Sequence, residues 1–187
     1  MKSPRASLYA YLFGALIAMI AIATPIASAT AAPFSQSNLE ALSKSSYIYI
    51  ATVRKDGNQS KAVPVWFIVS KDHRVLIETS PTSWKAKRIS RGSPALVWIG
   101  SSSGPAFIGK AAIIKDTSVQ DEVIEQYPKK YTLAWIGIAR PSRAKIDREQ
   151  IVVIQIEPIR ELREGFQSQP GTPAPAIDEV PANAAAR

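Results

Sequence analysis

Three runs rich in β-branched and aromatic residues, Tyr47 to Val53, Ala62 to Val69 and Val75 to Thr79, follow one another with only tight turns between them. Branched and aromatic side chains pack well on a pleated surface, so each run favours a strand. The first link carries Asp56-Gly57, a hairpin signal in which Gly supplies the positive φ that such turns require. The second link is Lys71-Asp72-His73-Arg74. Together they specify an antiparallel meander. Ala62 to Val69 is an almost unbroken apolar run, which predicts a strand buried on both faces. Pro64 then belongs at an edge or bulge, where no ladder donor is needed.

Beyond Thr79 the period of two is lost. Ser83 can cap a short helix through Ile89, ended by Gly92. Pro94 to Gly100 and Phe107 to Ile114 read as strands on either side of the link Ser101-Ser102-Ser103-Gly104-Pro105. Ser118 caps a helix to about Tyr127, with Asp121 and Glu122 favourably placed against its dipole. Ile151 to Ile156 is a last strand, stopped by Pro158. Asn38 to Lys44 forms a short leading helix, capped by Ser37 or Asn38. Six short strands with small helices at their connections predict a mainly β fold, a six-stranded antiparallel barrel closed so that no long edge is exposed. A sandwich is the alternative.

The two ends differ from this middle. Residues 1–32 read as a signal peptide: Lys2 and Arg5 precede a charge-free stretch from Ala6 to Ser37 whose apolar heart is Leu8 to Ile22. Pro25 breaks the helix, and Ala27-Ser28-Ala29 and Ala29-Thr30-Ala31 are small-residue cleavage sites. An uncleaved N-terminal anchor is the other reading; either implies an exported, periplasmic or secreted protein. No Arg-Arg pair precedes the apolar run, which favours the general secretory route. Once the leader is removed, no membrane contact is expected. Residues 167–187, with Pro170, Pro173, Pro175 and Pro181, cannot build a core and read as a disordered tail. The folding unit is thus 33–166, without internal repeats.

Composition narrows the chemistry. The sequence has no Cys and a single His, His73, which excludes thiolate metal sites, Cys nucleophiles and multi-His metal centres. No metal site is expected, and no general acid or base stands out as catalytic. Lys and Arg number 23 against 15 acids, a formal charge of +8 that suits an anionic ligand. From Thr79 to Lys115 there is no acidic residue, yet that stretch holds Lys85, Lys87, Arg88, Arg91, Lys110 and Lys115. Just ahead of the basic cluster stand Thr79, Ser80, Thr82 and Ser83. Hydroxyl donors, the free N–H groups of a helix start and ammonium groups together replace the hydration of a phosphate dianion. A solvated basic helix with an ordinary Ser cap explains the same residues. The aromatic residues do not alternate with Lys and Arg as stacking platforms would, so nucleic acid is not expected as a partner.

The strings Ala51-Thr52-Val53-Arg54-Lys55-Asp56-Gly57, Val63-Pro64-Val65-Trp66-Phe67 and Ser83-Trp84-Lys85-Ala86-Lys87-Arg88 resemble the pyridoxamine 5′-phosphate oxidase-like split-barrel superfamily, in particular its flavin and deazaflavin branches. The likeness runs on through Gly109-Lys110-Ala111 and Tyr127-Pro128-Lys129-Lys130-Tyr131. It implies a six-stranded split barrel that forms a homodimer, with FMN or coenzyme F420 at the dimer interface. It makes Lys85 the candidate phosphate ligand, with Thr79, Ser80, Ser83, Trp84, Lys87 and Arg88 beside it. Pro64, Val65, Trp66 and Phe67 would face the ring system, their backbone groups near its redox-active edge. Many family members carry Asn where this chain has Arg88, a change that keeps positive charge and loses an acceptor.

The function implied is a flavin-type oxidoreductase acting on an unidentified small molecule. The alternatives are a non-catalytic carrier of flavin or haem in the same cleft, and a barrel that has lost its pocket. His73 lies in a polar turn, and Met1 and Met19 both fall in the leader, so haem ligands are scarce. Trp66, Trp98 and Trp135 read as core or dimer packing, and Trp84 as the tryptophan placed to touch ligand or partner chain.

Overall fold

A computed structural model of the chain describes residues 34–177. The expected signal peptide and residues 178–187 of the tail lie outside the described residues. In chain order the elements are α1 (Gln36–Lys44), β1 (Ile48–Thr52), β2 (Val63–Val65), β3 (Ile68–Val69), β4 (Val75–Thr79), α2 (Trp84–Ile89), β5 (Ala95–Ile99), β6 (Ala106–Ile114), α3 (Thr117–Lys130), α4 (Thr132–Trp135), α5 (Arg143–Asp147) and β7 (Val152–Glu161). The strands make one curled antiparallel sheet in the order β2-β1-β5-β6-β7-β4-β3. Its two outer strands, β2 and β3, are consecutive pieces of one run interrupted at Trp66-Phe67. The chain itself therefore joins the sheet's two edges. The expected second strand is present, but as two segments, which makes seven in place of six.

At the interruption, tyrosine hydroxyls replace the missing strand partner. Tyr131 Oη accepts from the Phe67 N–H at 2.8 Å and donates to the Phe67 carbonyl at 2.7 Å. Tyr127 Oη donates to the Trp66 carbonyl and accepts from the Glu78 N–H, both at 3.1 Å. Backbone groups buried here would otherwise go unpaired. Pro64 lies on edge strand β2, opposite Tyr49 of β1, where its missing donor costs nothing.

Three apolar clusters surround this sheet. Ile48, Ile50, Val75, Ile77, Val97 and Ile154 fill its concave interior, with Leu42 of α1 and Ala86 and Ile89 of α2 packed in. On the outer side of β3, β4 and β7, Leu76 and Val153 meet Val123, Tyr127 and Tyr131 of the α3 region. The third cluster corrects an expectation. Leu96 and Trp98 of β5 are covered by Leu162, Phe166 and Ala174, so part of the tail is structured. Phe166 stacks on Trp98 at 5.9 Å, and its carbonyl accepts from Trp98 Nε1 at 2.7 Å. Residues 167–177 then run beside the β1–β2 link: Gln59 N–H donates to the Thr172 carbonyl, and Asn58 bridges Pro173. Prolines forgo ladder donors, but their apolar rings and carbonyls still cover a sheet.

Other boundaries also shift. Helix α1 begins at Gln36, because Ser35, not Ser37 or Asn38, is the cap that accepts from the Asn38 N–H. Asp116 caps α3 in place of Ser118, whose N–H it accepts at 2.8 Å, and the helix continues through Pro128 to Lys130. Strand β7 passes Pro158 and reaches Glu161. It does so at a register shift beside Gly109, where Pro158 need not donate and where a Cβ on Gly109 would sit 2.7 Å from the Glu157 carbonyl oxygen. Trp135, expected in core or dimer packing, is 70% exposed on the single chain and so lies outside its core.

Candidate functional site

Strand β4 alternates Val75 and Ile77 into the interior with Leu76 to the outside, so its last residue, Thr79, falls on the interior side. The Ser80–Ser83 turn follows, and α2 anchors itself through buried Ala86 and Ile89. That anchoring turns Lys85 back over the end of β4. Its Nζ donates to Thr79 Oγ1 at 3.0 Å. Thr79 Oγ1 donates to Ser83 Oγ at 3.2 Å, and Ser83 Oγ caps the helix by accepting from the Ala86 N–H at 3.3 Å. Lys85, Thr79 and Ser83 thus form one continuous hydrogen-bonded corner.

The corner's electrostatics are one-sided. Lys85 is partly buried, and desolvation holds its ammonium below the usual lysine range. No carboxylate pairs with it among the described residues. A desolvated ammonium with only a hydroxyl partner is an incomplete arrangement, and a bound anion would complete it. These residues fit a phosphate group: one cation and two hydroxyls, all partly buried, converge there. At six residues α2 is under two turns long, so these side chains and not the helix end carry the site.

The remaining expected residues are dispersed around this corner. Ser80 bonds Thr82 through their hydroxyls at 2.8 Å, exposed at the rim. Trp84 is 68% exposed, and Lys87 Nζ and Arg88 Cζ lie 5.4 and 5.5 Å from its ring centroid. Lys87 is exposed. Arg88 is directed elsewhere: its Nη1 donates to Thr52 Oγ1 on β1 at 3.3 Å.

The ring-facing segment also differs from expectation. The Trp66 carbonyl and both backbone groups of Phe67 already pair with Tyr127 and Tyr131. Trp66 stacks on Tyr131 at 4.5 Å with the rings 5° from parallel. Phe67 is buried, and Lys130 Nζ sits 3.3 Å from its ring centroid. Pro64 is exposed and Val65 packs against the interior cluster. Desolvation pushes Tyr131 up to about 12 and raises Tyr127 well above the ordinary tyrosine value, so both hydroxyls stay protonated. Desolvation brings Lys130 down to about 8. The two tyrosines were legible only as flanks of Pro128-Lys129-Lys130; no spacing rule ties them to a strand break sixty-odd positions earlier.

Comparison with known proteins agrees with this architecture. Residues 34–163 match the family model described as pyridoxamine 5′-phosphate oxidase. The chain belongs to that family. The family is one of flavin-binding split barrels. Among solved structures, a candidate pyridoxamine 5′-phosphate oxidase from Listeria innocua is 18% identical, with a TM-score of 0.50 over 67% of this chain and 94% of that one. A candidate 5-nitroimidazole antibiotic resistance protein from Bacteroides thetaiotaomicron is 13% identical, with a TM-score of 0.52 over 68% and 81%. HutZ, the haem storage protein from Vibrio cholerae, is 12% identical, with a TM-score of 0.51 over 72% and 97%. At such identities the likeness is one of fold. No curated protein matches the sequence.

Proposed function

We propose that this family member binds a flavin-type cofactor, FMN or F420, and acts as an oxidoreductase on a small molecule. The observation that carries the reading is the Lys85 ammonium, partly buried against Thr79 with no acidic partner among the described residues. Lys85, Thr79 and Ser83 would hold the cofactor's phosphate, with Ser80 and Thr82 at the mouth. When bound, the isoalloxazine or deazaflavin ring supplies the hydride chemistry, and the protein supplies binding, orientation and exclusion of water. Val65 remains as apolar surface for the ring, while the Trp66 indole, stacked on Tyr131, and the backbone at Trp66-Phe67 brace the barrel.

The fold shared with a haem storage protein raises haem as a second occupant. Against it, His73 stands exposed in a turn at φ 61°. Titration of the purified chain with FMN, F420 and haem, read by cofactor fluorescence and absorbance, tests the choice. Saturable binding of FMN or F420 that weakens in Lys85→Ala supports the reading; equal affinity of variant and wild type overturns the phosphate assignment. Reduction of the bound cofactor, then reoxidation by a panel of acceptors, separates an enzyme from a carrier.

Two further parts of the proposal concern context. The exposed Trp84 beside Lys85 supplies apolar surface for a second copy, and a solution mass of twice the chain's would support a homodimer. Export follows from the charge-free apolar leader, and the mass of the protein recovered outside the cytoplasm tests its cleavage.

A further inference from the structure

Arg88 belongs to a second cationic place, built from two turns that are distant in sequence. Arg54 and Lys55 open the link after β1, where the Gly57 N–H donates to the Arg54 carbonyl. Arg88 stands in the last turn of α2, and Arg91 in the turn that ends it. The Arg91 N–H donates to the Arg88 carbonyl, and Gly92 reverses the chain at φ 86°. One hydrogen bond ties the two turns together: the Val53 N–H donates to Ser93 Oγ at 2.8 Å. Between them lies a cavity of about 400 Å³, lined by Arg54, Lys55, Arg88, Arg91, Ser93 and their neighbours.

None of these four cations is paired with a carboxylate among the described residues. Arg54 and Arg91 line the same cavity as Arg88, and desolvation, then their charges, hold Arg88 below its ordinary value. Asp56 offsets part of this through its charge on both Arg88 and Arg54, while its carboxylate also accepts from the Asn58 N–H at 3.0 Å. Among the described residues, the hydrogen-bond partner of the Arg88 guanidinium is the neutral Thr52 hydroxyl. Like charges gathered around a braced cavity cost stability unless an anion is recruited. Guanidinium forks match the paired oxygens of phosphate. The non-basic lining, which includes Val53, Gly92 and Pro94, contains no aromatic ring on which a base could stack.

We infer that the cavity between Arg54, Arg88 and Arg91 is a binding site for a small, multiply charged phosphate-type oxyanion, separate from the Lys85 corner. It does not depend on the cofactor reading above.

Tripolyphosphate is the probe, titrated calorimetrically into the full chain as wild type, Arg54→Gln/Arg91→Gln and Lys85→Ala. Both exchanged arginines are solvent-exposed, so the fold should survive, which the far-UV spectrum checks. The wild type should show saturable binding. The double variant should bind at this cavity about tenfold more weakly or worse, as expected for lost charge-assisted forks, while Lys85→Ala loses only what the Lys85 corner holds and keeps saturable binding at the cavity. Arg91→Lys keeps the charge, loses the fork, and should fall between. Three outcomes overturn the site: no saturable binding by the wild type, undiminished binding by the double variant, or binding lost in Lys85→Ala. The last would place the oxyanion at the Lys85 corner instead.

Discussion

Lys85 and Arg88 are three residues apart on one short helix, yet they sit in opposite chemical settings. Lys85 folds back onto Thr79, partly buried, in a corner where hydroxyls already form a bonded chain. Arg88 reaches to β1 and joins three other cations around an open cavity. The first place is a single charge with geometry; the second is several charges with room. The contrast shows that a basic run in a sequence is not one site. Helix anchoring through Ala86 and Ile89 divides it in two.

Both settings depend on the barrel being held at the Trp66-Phe67 break, and the largest expected effect lies there. Tyr131→Phe leaves the Phe67 N–H and carbonyl without their partner. Unfolding by urea should show a loss of about 2–4 kcal/mol, the cost of two buried unpaired groups. A loss below about half a kcal/mol would mean that water or strand repairing takes over the bonds.

Next in size is ligand affinity. Lys85→Ala should weaken FMN or F420 binding by about 1.5–3 kcal/mol, the range for a hydrogen bond to a charged group, or roughly ten- to a hundredfold. Affinity should also fall as pH rises through the lowered Lys85 value, since phosphate favours the ammonium form. A flat alkaline profile would remove Lys85 from the phosphate's contacts.

Without ligand the comparison predicts a smaller change of opposite sign. A desolvated ammonium destabilises the fold, so Lys85→Met should leave stability unchanged or raise it by up to about 1 kcal/mol in a thermal melt. Because the folded value lies below the ordinary 10.5, the unfolded chain holds more protons in that window, and wild-type stability rises with pH there. The variant should lose that rise.

The other desolvated ammonium, Lys130, has a value of about 8 that opens a wider window, up to 10.5. Stability should again climb with pH between those limits, by less than desolvation alone implies, because the Phe67 ring face favours the charged form. Lys130→Met should flatten the slope; an unchanged slope would trace it to another group.

Much of the scaffold was legible along the chain. The β-rich runs, Asp56-Gly57, the Ser83 cap and Gly92 all act locally, and each reports its own backbone geometry. Helix ends were less legible. Ser35 and Asp116 displaced the expected caps because neighbouring polar residues compete for the same N–H groups, and packing chooses between them. The passage of β7 beyond Pro158 was hidden too, since the register shift that tolerates a proline belongs to the facing strand at Gly109. The tail read as disordered from its prolines, yet Ala174 packs in the cluster of Leu96 and Trp98, an apolar face that no local pattern in the tail reveals.

The same division holds for function. Residue order by itself determined that hydroxyls and cations gather around Lys85, because residues adjacent in sequence remain adjacent across a turn. It could not determine that Tyr127 and Tyr131 would occupy the backbone groups of Trp66 and Phe67, nor that Arg54 and Arg91 would line one cavity. Those pairings close long loops, and the hydrogen bonds and packing that decide them exist only once the sheet has curled its two edges together.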